Sequence, residues 1–350
     1  MASATIKLAA SRIGHNPLTP AANPVSPVFS KDGLQAHMDA NLARTLATFR
    51  MAGEAGADFV LSTEGIHGID YSVRLDKKDL YTELTEELDG PTLAQVSAIS
   101  RQYGMYAAAN YYVKDNGRIY NTTALTNRKG ELVGSYRKIH LPPTERWLVT
   151  PGDVAVVNET DIGRIGHAIC YDMVFPEHCR LLAIKGADII INPTGGWGFN
   201  YAPNLGLALL QVRAAENSAY FVNAYGMNRM RPGSSSCILK NDGSVLAENR
   251  SLDTDGIALA EFIPDYDIMR EKNMYTFFTN VPSSRARTLF ERMPHTYAPL
   301  ADPEPEVNKI YGQYKYAFEY EDYIKISHRY DEYKSDALEG REQTLPYVWE

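Results

Sequence analysis

The 350-residue chain predicts an α/β protein with mixed sheets and one large domain. Three observations carry this. Short apolar, β-branched runs alternate with segments of helical spacing. Turn signals join some of the runs directly into hairpins. Neither an internal repeat nor a low-complexity linker interrupts the pattern.

The elements follow in order. Thr5 to Ile13 reads as a first strand, and Pro17 to Pro27 as a proline-rich loop. Leu34 to Ala55 reads as a helix, with Leu42, Leu46 and Phe49 on one face and Gly56 ending it. Asp58 to Thr63 is a short buried strand with Glu64 at its C-terminal end. Pro91 opens a second helix that Gly104 stops. Met105 to Val113 and Ile119 to Thr126 form a hairpin around Asp115-Asn116-Gly117, and Glu131 to Lys138 adds a strand. A proline-rich loop runs from Ile139 to Gly152. Val154 to Val157 and Ile162 to Ile169 read as strands leading to Cys170, and a helix runs from Pro176 to Lys185. Ala187 to Asn192 is a strand and Pro203 to Asn217 a helix. Strands follow at Tyr220 to Tyr225, Ser235 to Leu239, Ser244 to Glu248 and Gly256 to Phe262.

The character changes near Pro264, so we divide the chain into a domain over residues 1–263 and an extension over 264–350. Residues 301–350 hold eight tyrosines, with charges interleaved. Disorder depletes aromatics, so the extension is expected to pack on its own domain or on a neighbouring subunit.

Composition narrows the function classes. Apolar content of 44% and charged content of 22% are those of an ordinary globular chain. A net charge of −8 argues against nucleic acid, which needs clustered Lys and Arg. No apolar run approaches the ~20 residues that span a bilayer. The first residues lack a basic segment before an apolar core, so no signal peptide is expected. Three cysteines (Cys170, Cys179, Cys237) make no disulfide framework, which points to a reducing, cytoplasmic setting. Asn121-Thr122-Thr123 fits a glycosylation acceptor, read here as a chance match. No His, Cys and Asp grouping has metal-ligand spacing, so neither metal nor cofactor is expected.

Glu64, Lys138 and Cys170 each fall near a strand end, where α/β proteins place their sites. Cys170 also precedes a helix start, whose partial positive charge favours a thiolate. The order Glu, Lys, Cys, with Lys138-Ile139-His140-Leu141 and Cys170-Tyr171-Asp172 running on to Phe175-Pro176-Glu177, resembles the nitrilase superfamily of carbon–nitrogen hydrolases. Gly186 to Pro193, Arg213 to Asn217, Gly233 to Ser236 and Asn241 to Ser244 add to the likeness, which covers about residues 5 to 262.

The resemblance implies a four-layer α-β-β-α sandwich that pairs as a homodimer or larger assembly. It implies Cys170 as nucleophile, Glu64 as base, Lys138 as stabiliser of the developing oxyanion, and Glu145 as a second glutamate holding Lys138. Elementary chemistry agrees. A thiol with a pKa of ~8.5 is mostly protonated at neutral pH and needs a base within reach. His140 is expected to be structural, and His67 and His178 to lie on the surface or behind the site.

Tyr171-Asp172 after the cysteine resembles the amidase and carbamoylase branches rather than nitrilases, which carry Trp-Glu there. Met173, Val174 and Phe175 are apolar where many carbamoyl-amino-acid hydrolases carry an arginine, and Arg146 and Arg229 are the other candidate cations. The expected substrate is therefore a small neutral amide, with Tyr171, Tyr111, Trp147 and Trp197 lining the pocket. N-carbamoyl amino acid hydrolysis is the alternative, followed by nitrile hydrolysis or a non-catalytic binding role.

Overall fold

The computed structural model describes residues 5–14, 16, 18–23, 26–69, 78–142, 145–146, 148–195, 205–226, 235–266 and 284–302. The chain divides into two compact units, Met1–Phe290 and Glu291–Glu350. In the second, the described residues hold two short 3-10 turns, Pro294–Thr296 and Ala298–Ala301. The tyrosine-rich stretch from 303 onward lies outside the described residues.

The first unit is built on twelve strands. They are β1 (Ile6–Ile13), β2 (Phe59–Leu61), β3 (Tyr106–Asp115), β4 (Arg118–Thr126), β5 (Leu132–Arg137), β6 (Val157–Thr160), β7 (Gly163–His167), β8 (Ile189–Thr194), β9 (Tyr220–Gly226), β10 (Ser236–Leu239), β11 (Val245–Asn249) and β12 (Gly256–Phe262). The described helices are α1 (Lys31–Glu54), α2 (Lys78–Leu84), α3 (Pro91–Tyr103), α4 (Pro176–Ile184), α5 (Leu205–Asn217) and α6 (Ser284–Phe290).

The strand order is β5-β4-β3-β2-β1-β9-β8-β7-β6, with β12 on β1, and β10 and β11 beyond β9. Parallel pairing of β1 with β9 is confined to Arg12 with Tyr225 and Ile13 with Gly226. The sheet therefore hinges there into two halves that fold face to face. Alternation along the strands builds the layers. Leu8, Phe59 and Leu61 share one core with Ile189, Ile191, Val222 and Ile238 of the other half. The intervening Ala9 and Val60 face Leu42, Leu46 and Phe49 of α1 and Val96 and Ile99 of α3. Ile190 and Phe221 face Leu182 of α4 and Leu210 and Ala214 of α5. Two helical layers thus enclose two sheet layers, the predicted α-β-β-α sandwich.

Local signals set the element ends. The Ser30 side chain caps α1 by accepting from the Gly33 N–H. Gly104 closes α3 in the left-handed region, with φ of 63°. Two sequence expectations are corrected. The strand read at Val154 to Val157 begins only at Val157. The seven-residue α2 was not anticipated, because so short a segment carries little periodicity. Arg285 of α6 pairs with Asp188 at 2.5 Å, a contact within the first unit. No helix among the described residues is long and apolar enough to cross a membrane.

Candidate active site

Glu64 follows β2, and its turn is shaped by Gly65 with φ of 60°. Lys138 directly follows β5. Glu145 is carried back by the loop after it, with its N–H bonded to the Pro142 carbonyl at 2.9 Å. Cys170 leaves β7 at the head of a 3-10 turn, Cys170–Val174. These four residues come from separate places in the sequence, and all are buried.

The Lys138 Nζ donates to Glu64 Oε1 and to Glu145 Oε2, both at 2.7 Å. Gly195 N–H, at the end of β8, donates to Glu64 Oε2 at 2.8 Å. Burial alone would lower the Lys138 ammonium, but Glu145 and Glu64 outweigh it and hold it well above its usual value. Burial pushes the Glu145 carboxyl up against the opposing charge of Lys138. Three buried charges thus share one centre, with a formal excess of one negative charge when both carboxylates are ionised.

Cys170 has φ of 44°, a left-handed conformation in a residue other than glycine. Such geometry costs of order 1–3 kcal/mol and persists only where the surroundings hold it. Asp172 supplies the hold. Its Oδ2 accepts from the Ile169 N–H at 2.9 Å and the Tyr136 hydroxyl at 2.7 Å. Its Oδ1 accepts from the His140 N–H at 3.0 Å and meets His140 Nδ1 at 2.8 Å. One carboxylate therefore ties the cysteine turn to the strand and loop that carry Lys138. Burial would raise the Asp172 carboxyl, but the His140 and Tyr136 bonds hold it below the usual range.

The thiol itself departs from expectation. Burial, then the charge of Glu64, push it up, and Lys138 only partly opposes them. The helix that was to favour a thiolate starts at Pro176, six residues beyond Cys170, which instead heads a 3-10 turn. The thiol proton is thereby held more tightly than in a free cysteine, with Glu64 and Thr194 within hydrogen-bonding reach. The Thr194 hydroxyl has no other partner.

The sequence-predicted pocket residues fare differently. Tyr171 follows Cys170 and packs edge-on against Phe175. Tyr111 is not brought to the site: it is buried among Leu42, Phe49 and Ile66, with its hydroxyl on the Leu88 carbonyl at 2.9 Å. Its neighbours Asn110 and Tyr112 take the site face instead, as strand alternation requires. Trp147, Trp197 and Arg229 lie outside the described residues. Arg146 Nε bonds the Leu141 carbonyl at 3.0 Å.

Sequence reasoning missed Asn121, whose side chain touches both glutamates. It also missed the meeting of His140, Asp172 and His178, whose ligand-capable atoms lie within 4.8 Å of one another. Two of the ring nitrogens are already in hydrogen bonds. His140 Nδ1 pairs with Asp172, and His178 Nε2 meets the His167 carbonyl at 2.9 Å. With Nε2 donating to that carbonyl, His178 Nδ1 is left buried without a partner.

The buried thiol on its strained turn, and the lysine and two carboxylates beside it, all lie within the stretch of sequence that matches a known family. Residues 32–266 match the model of the carbon–nitrogen hydrolase family, and the chain belongs to that family, within the nitrilase superfamily. It is 31% identical over 188 residues to a nitrilase of Pyrococcus abyssi, covering 53% of this chain and 68% of that protein. It is 30% identical over 159 residues to N-carbamoylputrescine amidase of Solanum tuberosum, covering 44% of this chain and spanning about half, 53%, of that relative. An amidase from Nesterenkonia sp. AN1, solved with the acetamide moiety of fluoroacetamide covalently on its active-site cysteine, has the same fold. The TM-score is 0.56 at 20% identity, over 85% of this chain and 97% of that one.

Proposed function

We propose that this chain is a thiol amidase that hydrolyses a small neutral amide to a carboxylic acid and ammonia. The observation that carries the reading is the Glu64–Lys138–Glu145 cluster, with Glu64 also in reach of the Cys170 thiol. Glu64 takes the thiol proton as sulfur attacks the carbonyl carbon. The Lys138 ammonium faces the negative charge that develops on oxygen, an interaction of the kind worth about 3 kcal/mol. The tetrahedral adduct collapses as Glu64 returns the proton to the departing amine. Ammonia leaves and a thioester remains. Water then gives a proton to Glu64, attacks the thioester and releases the acid, and the thiol re-forms. Glu145 holds Lys138 and does not exchange protons. Nucleophile, base and counter-charge all come from side chains.

A thiol that is protonated at rest fits this order of events. It gains its nucleophilicity only when a carbonyl is present to receive it. We assign Tyr171, next to Cys170 in the chain, to bounding the acyl group.

A second reading is hydrolysis of an N-carbamoyl group, favoured by the match to the Solanum tuberosum amidase. The two separate on products. A simple amide yields acid and ammonia, whereas an N-carbamoyl compound yields ammonia, carbon dioxide and an amine. We expect ammonia release from a panel of neutral amides to exceed that from N-carbamoyl amino acids and nitriles. Turnover of carbamoyl compounds alone would sink the amide reading. Cys170→Ala should lower turnover at least ~10³-fold and leave no acyl adduct by mass spectrometry. Full turnover in that variant would remove Cys170 from the mechanism.

We further propose a homodimer or larger assembly in the cytoplasm. Leu181 and Ile184 of α4 and Val212 of α5 are 49%, 43% and 50% exposed on neighbouring helices, an apolar face of the kind that a second copy covers. All three cysteines are free thiols, which supports a reducing compartment. Leu181→Glu with Val212→Glu should halve the mass measured by light scattering. An unchanged mass would place the contact elsewhere.

A further inference from the structure

Asn121 sits in β4, on the face that alternation directs to the site. It is 1% exposed. Its Nδ2 donates to Glu64 Oε1 at 3.0 Å and to Glu145 Oε1 at 2.7 Å, which uses both amide protons. Its backbone carbonyl accepts from the Lys138 N–H at 2.9 Å. One neutral residue therefore touches all three charged residues of the site.

The orientation of its amide is set by a chain of hydrogen bonds that starts at an unambiguous donor. The Gly65 backbone N–H can only donate, and it meets Asn110 Oδ1 at 2.7 Å. Asn110 Nδ2 must then point the other way, and it meets Asn121 Oδ1 at 2.8 Å. That leaves the Asn121 NH₂ facing the two carboxylates. A flipped amide would set oxygen against two carboxylates and NH₂ against NH₂. The chain leaves the backbone beside Glu64 and returns to the Glu64 carboxylate.

We propose that Asn121 is a positioning residue that keeps Glu64 and Glu145 both ionised around Lys138, so that Glu64 remains available as a base. The inference rests on the amidase reading of the site. Two buried carboxylates with one ammonium leave an unbalanced negative charge, and such pairs hold a proton to higher pH. A second cation would remove the charge but compete for the proton that Glu64 must carry. A neutral double donor stabilises both anions without adding a titratable group. The thiol needs this, because an anion can take its proton and a carboxylic acid cannot.

Asn121→Ala removes two hydrogen bonds to charged acceptors, each of the class worth about one pH unit of stabilisation. The acid limb of the kcat/KM profile should move up by about one to two pH units. On the acid limb the rate should fall about 10- to 100-fold and recover toward the plateau at higher pH, with KM little changed, since the amide itself is not contacted. Alkylation of Cys170 by iodoacetamide, followed against pH by mass spectrometry on the full chain, should show the same upward shift. A limb that superimposes on that of the unsubstituted protein overturns the proposal, however much the rate has dropped. If Asn121→Ala does not fold, Asn110→Ala carries the test, because it frees the orientation of Asn121 without touching either carboxylate. A smaller shift in the same direction is expected there, and an unmoved limb again overturns the proposal. If no amide turns over, the amidase reading fails, while the alkylation profile still decides the role of Asn121.

Discussion

Replacing Lys138 with methionine should lower activity at least about a hundredfold and destabilise the fold by about 3–5 kcal/mol. The second figure is the more telling. Most exposed lysines can be removed at almost no cost in stability. Lys138 is 0% exposed and sits between two buried carboxylates at 2.7 Å. Methionine nearly fills its volume, so the loss is of charge and hydrogen bonds rather than packing. Two anions would then remain in a buried site with the Asn121 amide, the Tyr112 hydroxyl and the Gly195 N–H as donors. The pH dependence gives the sign. Burial already raises the Glu145 carboxyl, and without the opposing ammonium it rises further above its unfolded value. The folded form of the variant then binds more protons than the unfolded form, and its stability rises as pH falls. Urea unfolding of Lys138→Met should therefore show a higher midpoint near pH 5 than near pH 8. A variant as stable as the unsubstituted protein at both pH values would mean that the carboxylates are compensated elsewhere.

Much of this architecture was legible in the sequence because it depends on local signals. Phe59-Val60-Leu61 and Ile189-Ile190-Ile191 are short runs apolar at every position, as strands buried on both faces must be. Glu64, Lys138 and Cys170 each stand just beyond a strand end, which brings them near one edge. What stayed hidden depends on register and on return paths. Tyr111 was read as a pocket aromatic, yet a shift of one residue along β3 separates the helix-facing Tyr111 from the site-facing Asn110. Asn121 looked like a chance glycosylation acceptor. Its meaning needs the loop that brings Glu145 back beneath β4, and no spacing rule gives that path. Asp172 was informative only as a marker of branch, since its three partner residues lie 3, 32 and 36 residues away in sequence. The thiol was misjudged for a related reason. A nearby helix start can be read from Pro176, whereas full burial beside a carboxylate cannot.

Asp172 should accordingly prove as costly to lose as Lys138, for a different reason. Asp172→Ala would strip the acceptor from the Ile169 N–H, the Tyr136 hydroxyl and the His140 N–H. Each buried donor left unsatisfied costs ~1–3 kcal/mol, so a loss of about 3–5 kcal/mol is expected after partial relaxation. The same change frees a turn in which Cys170 holds φ of 44°. Adduct formation at the thiol should slow even in molecules that remain folded. Asp172→Asn separates shape from charge. It keeps the volume but presents NH₂ where only donors converge, so it should recover little of the loss. The pH sign follows from the depressed folded-state value. The carboxylate's contribution is fully present above its unfolded value of ~3.9 and is lost as pH falls through the lower folded value. The stability gap between the unsubstituted protein and Asp172→Ala should stay constant from pH 8 to about 5 and narrow below about 4. A gap that persists undiminished at low pH would show that Asp172 acts through packing alone. In that case, the link between the cysteine turn and the lysine loop would have to run through Tyr136 and His140 without it.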